Sequence, residues 1–95
     1  MRVLGAQLLI AYAKRKPRIR GFLLAFRAFV EASSWKRMKD VEGQFTSVAI
    51  FTPPDRIALD FPDEGVRIEM RMNCALGLAR VYSVGPSAGK REGQK

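Results

Sequence analysis

Residues 66 to 74, VRIEMRMNC, alternate without a break. Val66, Ile68, Met70, Met72 and Cys74 point to one side of an extended chain, and Arg67, Glu69, Arg71 and Asn73 to the other. A period of two over nine residues fits a strand that is apolar on one face and charged on the other. Such a strand cannot stand alone. It needs partner strands beside it and an apolar cover on one side only, so the chain must supply both.

The cover comes from the first third of the chain. Gly5 to about Lys16 is rich in alanine and leucine and lacks proline, which predicts a helix that Pro17 ends. Residues 2–4 form either a short strand or the lead-in to that helix. A second helix starts at Pro17 or Arg18 and closes at Ser33-Ser34, with Ile19, Phe22, Leu23, Phe26, Phe29 and Val30 on one face. Phe22 and Phe26 are therefore expected in the core, together with Leu59. Glu31 falls four residues after Arg27 and can pair with it. Trp35 reads as a packing plug that hides a large apolar area. Asp40 is a candidate cap for a short helical turn in the connection that follows.

The partner strands come after it. Ser47 to Phe51 and Arg56 to Phe61 are predicted strands separated by the turn TPPD, and Ile57, Leu59 and Phe61 share a face. Leu78 to Val84 returns beside residues 66–74. A two-residue turn at Leu76-Gly77 would set Ala75 opposite Leu78 and Arg71 opposite Tyr82, with Ala79 and Val81 on the core face. The expected fold is α+β: two N-terminal helices packed on one face of a three- to four-stranded antiparallel sheet, forming a single domain over residues 1–85. Residues 86–95 then read as a polar, disordered tail.

The charge on this frame is lopsided. Seventeen basic residues against nine acidic ones give a formal net charge of +8, which points to a polyanionic partner. Two clusters carry it. KRKPRIR holds Lys14, Arg15, Lys16, Arg18 and Arg20, which can neutralise several phosphates; a solvated helix corner is the competing reading. The open sheet face holds Arg67, Arg71, Asn73, Arg80 and Tyr82, with forked donors for phosphate and a ring for an unpaired base. A face kept soluble by charge is the alternative there.

Some chemistry is excluded outright. The chain has no histidine and one cysteine, so neither an intrachain disulfide, a histidine-based triad nor a typical zinc or haem site can form. No cofactor or metal is expected. Cys74 reads as an inert small hydrophobe. MRVLGAQLLIAYA imitates a signal peptide, but Gln7 interrupts its apolar run and KRKPRIR follows at once. No run reaches the ~18 apolar residues of a membrane span, so the expected compartment is the cytoplasm and no membrane partner is implied.

The ordered set of features resembles the HigB-type branch of the RelE-like bacterial toxins. That branch opens M-R-V-I and continues with a W-K pair, a D-V pair, an R-V-V-F-N-I strand and a Y-R-L strand, ending in V-R-x-I-G-T-H-x-E-Y-D. Here Met1-Arg2-Val3, Trp35-Lys36, Asp40-Val41, Arg56 to Phe61, Val66-Arg67-Ile68 and Val84-Gly85 stand at the corresponding places. The resemblance implies a metal-independent messenger RNA interferase that acts on the ribosome and is neutralised by a helix-turn-helix antitoxin. Joined to the charge pattern, this reading makes Arg67 and Arg71 the candidate catalytic cations that stabilise the phosphorane, while the two basic clusters and Lys36 supply the candidate RNA contacts: Lys14, Arg15, Lys16, Arg18, Arg20, Lys36, Arg80 and Tyr82. Pro86-Ser87 replace the family's T-H and Lys90 its tyrosine, while Tyr82-Ser83 replace a basic pair. The proton-transfer groups of the family are thus missing, and cleavage is expected to be feeble or absent. The alternative is a non-catalytic RNA- or ribosome-binding protein that retains only the basic face.

Overall fold

The computed structural model describes residues 1–45, the backbone of 49–52, and residues 55–87. The expected strand start at Ser47, the Pro53-Pro54 turn and the tail from residue 88 onward, Lys90 included, lie outside the described residues. The described chain is α+β. In order it runs β1 (Arg2–Leu4), α1 (Ala6–Arg15), a 3-10 turn (Pro17–Ile19), α2 (Arg20–Ala32), α3 (Met38–Gln44), β2 (Ala49–Thr52), β3 (Arg56–Phe61), β4 (Val66–Asn73) and β5 (Leu78–Pro86).

The sheet has five strands in the order β1-β5-β4-β3-β2. The three- to four-stranded antiparallel sheet expected from the sequence is corrected on two counts. Residues 2–4 are a strand, and they pair parallel to β5, so the sheet is mixed. Three residues are too few for alternation to declare them, and a parallel partner 76 residues away leaves no local trace.

α1 and α2 cover the face that carries Ile57, Leu59, Val66, Ile68, Met70, Met72, Ala79 and Val81, all buried. They contribute Leu9, Tyr12, Ala13, Leu23, Phe26 and Val30 to the same core. Phe26 lies edge-on to Phe61 at 5.9 Å, and Trp35, buried as expected, sits edge-on to Phe45 at 5.9 Å. The junction between layers is close at Gly5. Its φ is +76°, and a Cβ there would lie 2.2 Å from the Val81 carbonyl oxygen. Only glycine allows the chain to leave β1, turn left-handed and start α1 against the backbone of β5. α3 exceeds the short turn expected. Asp40 stands inside it and accepts the Lys36 and Arg37 N–H groups through Oδ2, at 3.0 and 3.3 Å.

The β4–β5 register also differs from the expectation. Asn73 pairs with Leu78 and Arg71 with Arg80, so the connection is the four residues 74–77. Asn73 explains the difference: its Oδ1 accepts the Leu76 N–H at 3.1 Å, and Gly77 takes the left-handed position with φ +69°. Further along, Met70 pairs with Val81 but Glu69 pairs with Ser83, which makes Tyr82 a bulge residue. The bulge brings both Val81 and Val84 onto the core side although they are three residues apart.

Candidate nucleic-acid interface

The face of the sheet away from the helices is built by the same alternation that builds the core. Where Ile57 and Leu59 point inward, Arg56, Ala58 and Asp60 point outward. Arg67, Glu69, Arg71 and Asn73 do so from β4, and Arg80 from β5. Cross-strand pairing lines these residues up. Arg56 is the direct partner of Arg71, and Arg71 is the direct partner of Arg80. Three guanidinium side chains therefore leave three adjacent strands in one row, with neighbouring Cα atoms about 5 Å apart. Like charges directly opposite each other destabilise a sheet.

Counter-charges reach only part of this row. Arg71 Nη2 donates to Asp55 Oδ2 at 3.1 Å, and outside the row Arg67 Nε donates to Glu69 Oε2 at 2.9 Å. Among the described residues, Arg56 and Arg80 make no ion pair. The two residues singled out as catalytic cations, Arg67 and Arg71, are thus held by carboxylates, and the more available charges belong to their neighbours. Arg56 was missed in reading the sequence, although it precedes Ile57 and must face outward if Ile57 faces inward.

Beside the row lies a shallow depression of about 190 Å³, lined by Leu4, Asp55, Arg71, Asn73, Leu78 and Arg80. Tyr82 is exposed, lifted outward by the bulge, and offers its ring to solvent. The face therefore offers cations, a small depression with Leu4 and Leu78 in its lining and, two residues along β5 from Arg80, an exposed aromatic ring.

The other basic residues do not all join this face. Arg15, Lys16 and Arg18 line a separate cleft of about 460 Å³ with Tyr12, Glu64, Gly65 and Pro86, where the α1–α2 corner meets the β3–β4 turn. The Arg15 guanidinium lies 5.6 Å from the Tyr12 ring centroid. Lys14 and Arg20 flank a groove between the two helices. Lys36 lies with Trp35 near the β4–β5 loop, beside Cys74. Burial, and secondarily the Asp40 carboxylate, push the Cys74 thiol above its ordinary value, as suits a partly buried side chain packed on the core.

The end of β5 is more ordered than a polar tail. The strand runs to Pro86, and Ser87 is buried. Its N–H donates to the Gly65 carbonyl at 3.0 Å and its hydroxyl donates to Asp60 Oδ1. Ser87 is thus tethered at both its backbone and its side chain. Among the described residues no group of three or more histidine, cysteine or acidic side chains could hold a metal ion, and no helix is long and apolar enough to cross a membrane. No protein-family model matches this chain, and no curated protein matches it either.

Proposed function

We propose that the open sheet face binds single-stranded RNA, with the row Arg56–Arg71–Arg80 on the phosphates and Tyr82 stacked on a base. The row carries this reading. Three like charges aligned across a ladder work against the fold and are neutralised by a polyanion. The exposed ring beside them favours an unpaired strand, whose bases are free to stack, over a duplex. The resemblance to HigB-type toxins supports RNA as the polyanion, and with it messenger RNA on the ribosome as the target and a helix-turn-helix antitoxin as a partner.

Binding is the better supported half of the toxin reading. Cleavage through a ribose 2′-hydroxyl needs a proton acceptor, a proton donor for the leaving oxygen and cations for the phosphorane charge. The face is rich in the third. The chain has no histidine, and Asp55 and Glu69, two carboxylates of this face, are already bonded to arginines. Ser87, at the family's histidine position, is engaged by Asp60.

The test is a fluorescence-anisotropy titration of a labelled single-stranded RNA at several salt concentrations. Affinity should fall steeply with salt, and Arg71→Glu and Arg80→Glu should each weaken binding far more than Arg27→Glu on α2. Equal effects of the three reversals, or a curve flat in salt, would reject the assignment. The same RNA, incubated with EDTA and run on a gel, should stay intact; a 2′,3′-cyclic phosphate product would restore the nuclease reading.

A further inference from the structure

We infer that the groove between α1 and α2 docks a short amphipathic helix with acidic flanks, supplied by another protein. The groove has a volume of about 310 Å³, and its floor is apolar: Leu9, Ala13 and Leu23, with Ile10 and Leu24 on its walls. Ile10 and Leu24 are 44% and 48% exposed, although they sit on the two helices that supply Leu9, Tyr12, Leu23, Phe26 and Val30 to the core. Single exposed leucines need no explanation. Two large, exposed apolar side chains lining the same concave channel do.

The rim supplies the second half of the argument. Arg20, Leu24 and Arg27 form one stripe on α2, at spacings of four and three, and Lys14 stands one turn beyond Ile10 on α1. The apolar floor is thus bordered by three cations. Arg27 is shared with Glu31 at 3.1 Å, whereas Lys14 and Arg20 make no ion pair among the described residues. A helix that places two or three leucine-like side chains at i, i+4 and i+7 into the channel, with glutamates or aspartates on either side, matches both the shape and the charge. A second copy of this chain would set Lys14 and Arg20 against like charges. A bilayer, for its part, takes up a convex apolar face rather than a channel. This surface lies on the helical layer, across the core from the arginine row, so the inference does not depend on the RNA reading.

The experiment uses the full chain and two labelled peptides of about 16 residues, long enough to form helix on a surface. Both carry leucine at i, i+4 and i+7; one has glutamate flanks and the other lysine flanks. The glutamate peptide should bind at least tenfold more tightly. Leu24→Asp and Ile10→Asp should each lower that affinity at least tenfold while leaving RNA binding unchanged. The double reversal Lys14→Glu with Arg20→Glu, which leaves the apolar floor intact, should invert the preference toward the lysine peptide. Equal binding of both peptides, binding of neither, or a preference that the double reversal leaves in place would overturn the inference. So would self-association in sedimentation, or binding to vesicles of phosphatidylcholine and phosphatidylglycerol, that Leu24→Asp abolishes.

Discussion

Arg71 and Arg80 face each other as direct partners across β4 and β5, on the side of the sheet opposite α1 and α2. Because the pairing opposes like charges, it predicts a conflict between stability and binding. Arg80→Glu converts the pair to opposite charges and should stabilise the fold by about 0.2–1 kcal/mol, which for a domain of this size is a rise in Tm of roughly 1–8 °C. The same change should abolish most RNA affinity. Thermal melting and anisotropy on one preparation check both halves; a variant that is destabilised and still binds would show that the row is neither repulsive nor functional.

Gly5 and Gly43 predict opposite outcomes for the same substitution. Alanine at residue 5 must take φ near +76° and place its Cβ against the Val81 carbonyl. The backbone conformation alone costs about 1–3 kcal/mol, and the clash adds to it by parting α1 from β5. Gly43 lies within α3 with nothing within 4 Å of the Cβ position, so alanine there should stabilise by roughly 0.5–1 kcal/mol. Urea denaturation of the two variants beside the parent would settle the sign of each.

Phe26 and Phe29 share the predicted apolar face of α2 but part company in the structure, at 7% and 45% exposed. Phe26→Ala should cost about 3–5 kcal/mol. Phe29→Ala should cost well under half of that, since its ring meets Trp35 and Phe45 edge-on and leaves the rest to solvent. Equal losses in denaturant midpoint would mean that Phe29 is covered.

That pair also shows what a sequence can and cannot convey. The outward arginines of β4 were legible because alternation sorts both faces at once, and the same rule, applied to β3, yields Arg56. Helical spacing named the right face of α2 but not its width, because what covers the edge of that face is decided by Trp35 and Phe45 from elsewhere in the chain. The register of β4 on β5 turned on one asparagine side chain closing the loop 74–77. The bulge at Tyr82 had a trace in the sequence: Val81 and Val84 are three apart, a spacing no regular strand can put on one face. The parallel docking of β1 had none.

Cys74 gives a prediction in pH. Its thiol is pushed up by burial first and by the Asp40 carboxylate second. The neutral form is therefore favoured by folding: this contribution is fully present below the ordinary thiol range and is lost as pH rises through the folded value. Alkylation by iodoacetamide at pH 8 should be slower in the native protein than in urea, and the gap should narrow as pH rises, because the thiolate is the reacting species. Native labelling as fast as unfolded labelling at pH 8 would show an ordinary, exposed thiol.

Ser87 tests whether the end of β5 belongs to the fold. Only 5% exposed, it extends the pairing of β5 by donating its N–H to Gly65, while its hydroxyl reaches Asp60 on β3, two strands away from its own. A hydroxyl donating to a carboxylate is a charge-assisted bond, and its loss in Ser87→Ala should cost about 1.5–3 kcal/mol. The alanine leaves the backbone bond to Gly65 in place, so the loss reports on the side chain alone. A double-mutant cycle with Asp60→Asn separates the pair from the other interactions of Asp60: coupling of about 0.5 kcal/mol or more is expected for groups in direct contact. Additive effects would mean that the Ser87 hydroxyl is buried near Asp60 without being held by it.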